Sequence, residues 1–422
     1  MTDFPKGKMT NEARKSSDIT RRSFLGAGLA AGSLAPRAIG APPTGSQKPH
    51  ADEKGKRRFT LWCASGGLIN AQYPSDEAQV VAFVEKCARH GITHLVPTRG
   101  SRMLVEAARE QNIDVHPYLA FNNHGTNREQ YAWSVHYIDD PGSPTGTDQL
   151  NRHRTIWSHP KTSVSVSDFS KQHPEYWART KRGGDTLEPG QRLNLSLAVA
   201  EVRSYEVDRY LDIANRYGGN GVQVEFVSIS TDQGGVGVYG YEDPVVKRFE
   251  EKYGRSPFNL QSDNTPWLRF RADLVTQTLT EIREKLKEEH PDAPLSAAII
   301  AREFTEKMMI RGRDRYLKVF HDLRAWVNKK VVDELFLWFR TVSDPLEVGR
   351  QTRQVADVVR GRCPLIVELS CYHVGSFQDP KLMLEAARRA KDNGADSVGM
   401  YRGHAVDQLD FWPLVEEISK MS

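Results

Sequence analysis

Two glutamates stand inside runs that otherwise read as buried strands. Glu225 lies in "GVQVEFV" (221–227) and Glu368 in "PLIVELS" (364–370). An ionised carboxylate left unpaired in an apolar interior costs several kcal/mol or more, so each needs a partner, an opening or a function. Hydrolysis of a glycosidic bond uses such a pair, one carboxyl protonated as general acid and the other ionised as nucleophile or base. Repulsion between buried like charges raises one pKa, which suits the acid. The bland reading, in which an arginine or a backbone donor neutralises each glutamate, stays open from the residues alone.

The elements that must position the pair are legible as eight apolar runs alternating with helical patterns. The runs are 58–64, 93–99, 114–121, 221–227, 294–300, 334–340, 364–370 and 397–403. Asp243-Pro244, Thr265-Pro266, Asp344-Pro345 and Asp379-Pro380 each read as a capping side chain before a proline at the first helical position. Gly91 and Gly394 suit helix C-terminal caps. Continuously apolar strands separated by helices predict a parallel sheet, and eight repeats predict an α/β fold of the (β/α)8 TIM-barrel type. No glycine-rich dinucleotide fingerprint follows the first strand. Between Asn122 and Val199 lies a stretch of roughly 75 residues rich in His, Trp, Tyr, Gly and Pro, read as a long loop insertion after the third strand.

In such a barrel Glu225 and Glu368 fall late in strands four and seven and point toward one mouth, where these folds keep their sites. Strand ends supply further candidates for sugar contact: Trp62, Arg99, Tyr118, Asn122, Trp338, Arg340 and Tyr401, with Arg402 beside them. Aromatic faces stack on sugar rings, while Asn and Arg donors bind hydroxyls and carboxylates. Each one alone is as readily core or rim packing. Glu303 and Asp232 are spare carboxylates that read as solvated loop residues. His116, His124, His373 and His404 fall on or after strands three, seven and eight, yet the first strand lacks a His-x-His pair and no His-Glu-x-x-His spacing occurs. No metal and no cofactor is therefore expected. There is also no G-x-S-x-G elbow and no G-x-x-x-x-G-K loop.

The composition, 39% hydrophobic and 27% charged over 422 residues, is that of an enzyme-sized globular protein. Residues 1–50 hold eight Lys or Arg against three Asp or Glu, so the net +4 belongs to the start of the chain and the rest is near −1. Nucleic acid is accordingly an unexpected partner. Within that start, Arg21-Arg22 followed by an apolar run from Phe24 to Ala35 and small Ala38 and Gly40 is similar to a twin-arginine export signal. The expected organisation is a signal peptide over 1–41, a linker over 42–57 and a barrel over 58–422, exported to the periplasm or beyond and without a permanent membrane span. Cys63, Cys87, Cys363 and Cys371 show no C-x-x-C spacing, and the sequence assigns them no disulfide.

Several motifs in order carry a resemblance. "EAAREQNIDVHPYLAFNN" is followed by "HPEYWARTKRGGDTLEPGQRLNLSLAVAEVRSYEVDRYLDIANRYGGNGVQVEFV", then "YGYEDPVVKRFEEKYGR", "PWLRFRADLVTQTLTEIREKLK" and "LRAWVNKKVVDELFLWF". Over most of 58–418 the chain resembles the glycosyl-hydrolase-like family ten barrels. Where that family commonly has Asp-Tyr-hydrophobic-Arg-Tyr-Pro after the fourth strand, this chain has Glu225-Phe226-Val227-Ser228-Ile229-Ser230, keeping the acid and losing Arg and Pro. The resemblance implies carbohydrate hydrolysis. By analogy with barrels that place these roles on strands four and seven, Glu225 is expected as acid and Glu368 as nucleophile. A non-catalytic carbohydrate-binding barrel and a metal-dependent barrel lyase or isomerase are the rival readings.

Overall fold

A computed structural model describes residues 60–62, 77–97, 102–122, 124–127, 136–137, 154–155, 164–183, 192–225, 239–301, 317–371, 375–401 and 403–421. The chain divides into two compact units, Met1–Ser46 and Gln47–Ser422, and every described residue belongs to the second.

The described strands in chain order are β1 (Thr60–Trp62), β2 (His94–Leu95), β3 (Asp114–Val115), β4 (Tyr118–Ala120), β5 (Gly125–Asn127), β6 (His136–Tyr137), β7 (Arg154–Thr155), β8 (Val164–Val166), β9 (Arg192–Leu193), β10 (Val222–Glu225), β11 (Leu295–Ile300), β12 (Glu334–Phe339), β13 (Leu365–Ser370) and β14 (Ser397–Tyr401). Nine form one sheet in the order β3-β2-β1-β14-β13-β12-β11-β10-β4. Every neighbouring pair in it is parallel. Helices such as Glu77–Arg89, Ala200–Tyr217, Pro345–Val359 and Pro380–Asp392 supply the crossovers that parallel pairing requires. The stretch between β4 and β10 holds two antiparallel patches of its own, β8-β5-β9 and β6-β7.

The expected third strand, 114–121, is interrupted because Pro117 has no N–H to give the ladder. Its two halves enter different ladders, β3 with β2 and β4 with β10, and backbone bonds on both sides run across the break. His116 and Tyr118 donate to the carbonyls of Leu95 and Pro97, at 2.9 and 3.0 Å, while Asn220 and Gln223 donate to those of Val115 and Pro117, at 2.9 and 3.0 Å. The close approach of the 219–221 turn to this strand requires glycine. A Cβ on Gly219 would sit 2.7 Å from the Val115 carbonyl oxygen and 2.8 Å from Pro117 Cδ. Gly219→Ala is therefore expected to cost about 1–3 kcal/mol in chemical denaturation, and an unchanged midpoint at unchanged slope would refute this.

Register sorts the strand residues onto two faces. Leu61, Leu95 and Val115 align on one face, as do Leu119, Val224, Ala297 and Leu335, and Leu337, Val367 and Val398. This aliphatic face packs beneath the helices and forms most of the core. The opposite face carries the polar residues. Near the strand starts it holds His94, His116, Gln223, Ser296, Glu334 and Ser397, all buried. Among them His94 Nε2 lies 3.4 Å from Asp114 Oδ2 and His116 Nδ1 lies 3.9 Å from Glu334 Oε2. Toward the strand ends the same face holds Glu225, Trp338, Glu368 and Tyr401.

Asp344 and Asp379 cap their helices as expected, accepting from Leu346 and Lys381 N–H at 2.9 and 2.8 Å. Two other starts differ by one residue. The helices Asp243–Tyr253 and Thr265–Glu289 are preceded by Glu242 and Asn264, so Asp243 and Thr265 are first-turn residues rather than caps. Glu242 is drawn away from capping because its carboxylate accepts the Arg179 N–H at 3.0 Å. Gly91 and Gly394 take positive φ values of 82° and 98° just past their helices, as a C-terminal cap requires.

Candidate active site

Glu225 ends β10 and Glu368 is the fourth residue of β13, with 2% and 0% of their surfaces exposed. The apolar neighbours that make these segments strands, Val222 and Val224 in one and Ile366, Val367 and Leu369 in the other, also bury the carboxyls. Neither oxygen of Glu368 has a hydrogen-bond partner among the described residues. Burial pushes its carboxyl well above the usual carboxylate range, and the charge of Glu225 pushes it the same way. A shift in that direction favours the protonated form, the form a general acid needs. The two glutamates thus sense each other, which is the electrostatic relation an acid and an ionised partner need.

In register, Trp338 stands beside Glu368, which in turn stands beside Gly399. The Tyr401 and Trp338 rings are 4.6 Å apart, tilted by 51°, so a buried aromatic pair adjoins the Glu368 strand position. Arg340 follows β12, half-buried, with its guanidinium 5.8 Å from the Trp338 ring centre. Tyr118 is buried on β4 opposite Gln223, two positions before Glu225. Trp62 is in register with Tyr401 through its backbone. Its side chain, together with Arg99, Arg402, His373, Glu303 and Asp232, lies outside the described residues, as do Cys63 and the whole of 1–57.

Asn122, expected as a sugar contact, instead serves the protein. Its side chain donates to the Leu195 carbonyl at 2.9 Å and accepts the Leu195 N–H at 3.0 Å, and its own carbonyl accepts from Asn194. Its backbone N–H donates to Glu206 Oε2 at 3.2 Å. These bonds hold Asn122 at φ 48°, a left-handed conformation that side chains adopt only when their surroundings over-determine it. The preceding residue, Phe121, donates its N–H to the carbonyl of Glu225 at 2.7 Å. Asn122 therefore fixes the end of the strand beside Glu225.

Glu206 is the centre of this support. Its carboxylate is fully buried and meets His124 Nε2 at 2.7 Å and Arg209 Nη1 at 2.6 Å. Burial alone would raise its pKa, but Arg209 and His124 outweigh that and hold it at about 2. Burial also pushes His124 below its ordinary value despite Glu206. That downward shift favours the neutral ring, which lies against the carboxylate in a close polar contact, and Arg209 supplies the charge. The sequence did carry a signal for Glu206: it falls in line with Val202, Tyr210 and Ile213 on the apolar stripe of the helix Ala200–Tyr217.

A second buried anchor escaped the sequence reading. Arg271, in the helix Thr265–Glu289, is fully buried and donates to the carbonyls of Tyr239 and Ser262 at 2.7 and 3.0 Å. Its guanidinium stacks on Trp267 and Phe320, 4.5 and 4.6 Å from their ring centres. Burial lowers its pKa to about 9, with Tyr241 and Glu242 opposing. His116 lies in the polar layer near the strand starts, and Cys87, Cys363 and Cys371 are buried. Among the described residues no three of His, Cys, Asp and Glu converge as a metal site would need, and no helix is long and apolar enough to cross a membrane.

A parallel α/β sheet with two mutually sensing glutamates toward its strand ends is an arrangement that glycoside hydrolases use. The family model described as Glycosyl hydrolase-like 10 matches residues 153–380, more than half of the chain, and the chain belongs to this family. Membership supports a glycosidase-type function. No curated protein sequence matches the chain. Among solved structures it is similar to the catalytic domain of beta-amylase from Paenibacillus polymyxa and to the PgaB (BpsB) glycoside hydrolase domain from Bordetella bronchiseptica. Each is 11% identical over 86% of this chain and 98% of the other, with a TM-score of 0.55. It is also similar to a beta-galactosidase from the psychrophilic Marinomonas ef1, 13% identical over 82% of this chain and 54% of that one, with a TM-score of 0.53. At such identities the likeness is one of fold.

Proposed function

We propose that this chain is an exported glycoside hydrolase acting on a poly- or oligosaccharide, with Glu368 and Glu225 as its carboxylate pair. The observation that carries this reading is Glu368: a fully buried carboxyl with neither oxygen hydrogen-bonded among the described residues, raised by burial and by Glu225. In this reading the sheet is a closed (β/α)8 barrel over 58–422, with His116-Pro117 joining the two ends of the strand order. Residues 1–41 are a twin-arginine signal peptide, 42–57 a linker, and the enzyme works in the periplasm or outside the cell. The insertion after the third strand borders the mouth.

In this reading the roles are the reverse of those expected by analogy, supported by the upward shift of Glu368. Glu368 carries the proton and gives it to the glycosidic oxygen as that bond breaks, while ionised Glu225 attacks the anomeric carbon or activates the water that does. Trp338 and Tyr401 supply the apolar wall for a sugar face.

The test is incubation of the purified full chain with aryl glycosides and with plant, algal and bacterial polysaccharides. New reducing ends from at least one member are the expected result. Sugar binding without any new reducing end would instead identify a carbohydrate-binding barrel.

A further inference from the structure

Among the described residues Arg340 is the arginine beside this site, and its charge meets the Trp338 ring but no carboxylate. It follows Trp338 by two positions and so belongs to the face that carries Glu368. Its Nε is buried and makes no hydrogen bond, and no carboxylate forms an ion pair with it among the described residues. Other arginines held against the fold have a partner for their charge or their donors. Arg203 meets Glu281 at 2.9 Å, Arg209 meets Glu206 at 2.6 Å, Arg283 meets Asp333 at 2.8 Å, and Arg271 binds carbonyls.

Partial burial of an unpaired guanidinium costs free energy that a fold rarely leaves unanswered. Nor does Arg340 offset the acid pair, since burial and Glu225 raise Glu368 with no cation opposing them. With no counter-charge among the described residues, a ligand is the natural source of one. A sugar hydroxyl would leave the charge uncompensated, whereas a carboxylate or a sulfate matches the planar fork of donors. The Trp338 ring beneath the guanidinium limits its orientations and places it beside the sugar that Glu368 would protonate.

We propose that Arg340 binds an anionic substituent, a carboxylate or a sulfate ester, on the sugar seated beside Glu368, so that the substrate is an acidic glycan. This inference rests on the glycosidase reading and is tested separately from it. The full chain carrying Glu368→Gln is titrated calorimetrically with matched oligosaccharides: uronate-containing against carboxyl-reduced, and sulfated against desulfated. The acidic member of one pair is expected to bind on the order of tenfold to a hundredfold more tightly, and the responding pair identifies the anion.

Adding Arg340→Gln should bring the ratio near one, while Arg340→Lys keeps part of it. Equal binding within both pairs, no binding of any member, or a preference that survives Arg340→Gln in a chain of unchanged melting temperature would overturn the inference. The parent chain is assayed alongside on the same oligosaccharides. If it binds the acidic member through Arg340 yet releases no new reducing ends, the glycosidase reading fails and the anion site stands.

Discussion

Glu368→Gln is expected to lower turnover by about a thousandfold or more while leaving the fold intact or more stable. The amide matches the protonated carboxyl in shape but has no proton to give the leaving oxygen, so the chemical step loses its acid. Stability moves the other way because the wild-type group is a burden once it ionises. Its folded pKa lies above the usual 4.5. The stabilising difference is thus fully present below about 4.5 and is lost as pH rises through the raised value. Wild-type melting temperature should therefore decline with alkalinity more steeply than that of Glu368→Gln. Glu225→Gln should abolish activity comparably and, by removing the neighbouring charge, lower the titration point of Glu368 in carbon-detected NMR. Turnover within about tenfold of wild type in both variants would move the chemistry away from this pair.

Glu206→Ala carries the largest expected loss of stability, about 3–5 kcal/mol, because it removes the buried carboxylate that Arg209, the Asn122 N–H and the His124 ring all face. The melting temperature should fall by roughly 5–10 °C. The pH signature has the opposite sign to that of Glu368. With a folded pKa of about 2 against 4.5, Glu206 contributes roughly 3 kcal/mol that is present above pH 4.5 and is lost as pH falls toward 2. The variant's stability should thus be flatter across that acid interval. Turnover should also drop, since Asn122 would no longer be held in its left-handed conformation beside the Phe121 to Glu225 bond. A melting temperature within about 2 °C of wild type would show that the network is dispensable.

The longest strands were legible because a buried parallel strand has to be apolar throughout. The runs 294–300, 334–340 and 364–370 correspond to β11, β12 and β13 within a residue at each end. Glu225 and Glu368 stood out for the same reason, as charges inside such runs. What escaped were contacts whose partners are distant in sequence. Nothing local tells that Glu242 will bind the Arg179 N–H and abandon its helix, or that Asn122 will spend its amide on Leu195. Arg271 reads as one more charge on a long helix, and only three-dimensional packing turns it toward the Tyr239 and Ser262 carbonyls. The interruption at Pro117 was visible as a proline inside a strand pattern, but which neighbour each half would pair with was not.

That interruption bears on the order in which the sheet assembles. The contacts linking β3 and β4 to the segment around β10 join residues such as Val115 and Asn220, 105 positions apart, whereas β13 and β14 are joined across about 30, as between Cys371 and Tyr401. Closing the longer loop costs about 1 kcal/mol more in chain entropy. The ladders from β11 to β14 can zip from local encounters, while the ladder between β4 and β10 waits for the intervening hundred residues to be gathered. Until then the Tyr118–Ala120 edge is an unpaired template open to neighbouring chains, so the strand beside Glu225 is also where aggregation during refolding would begin.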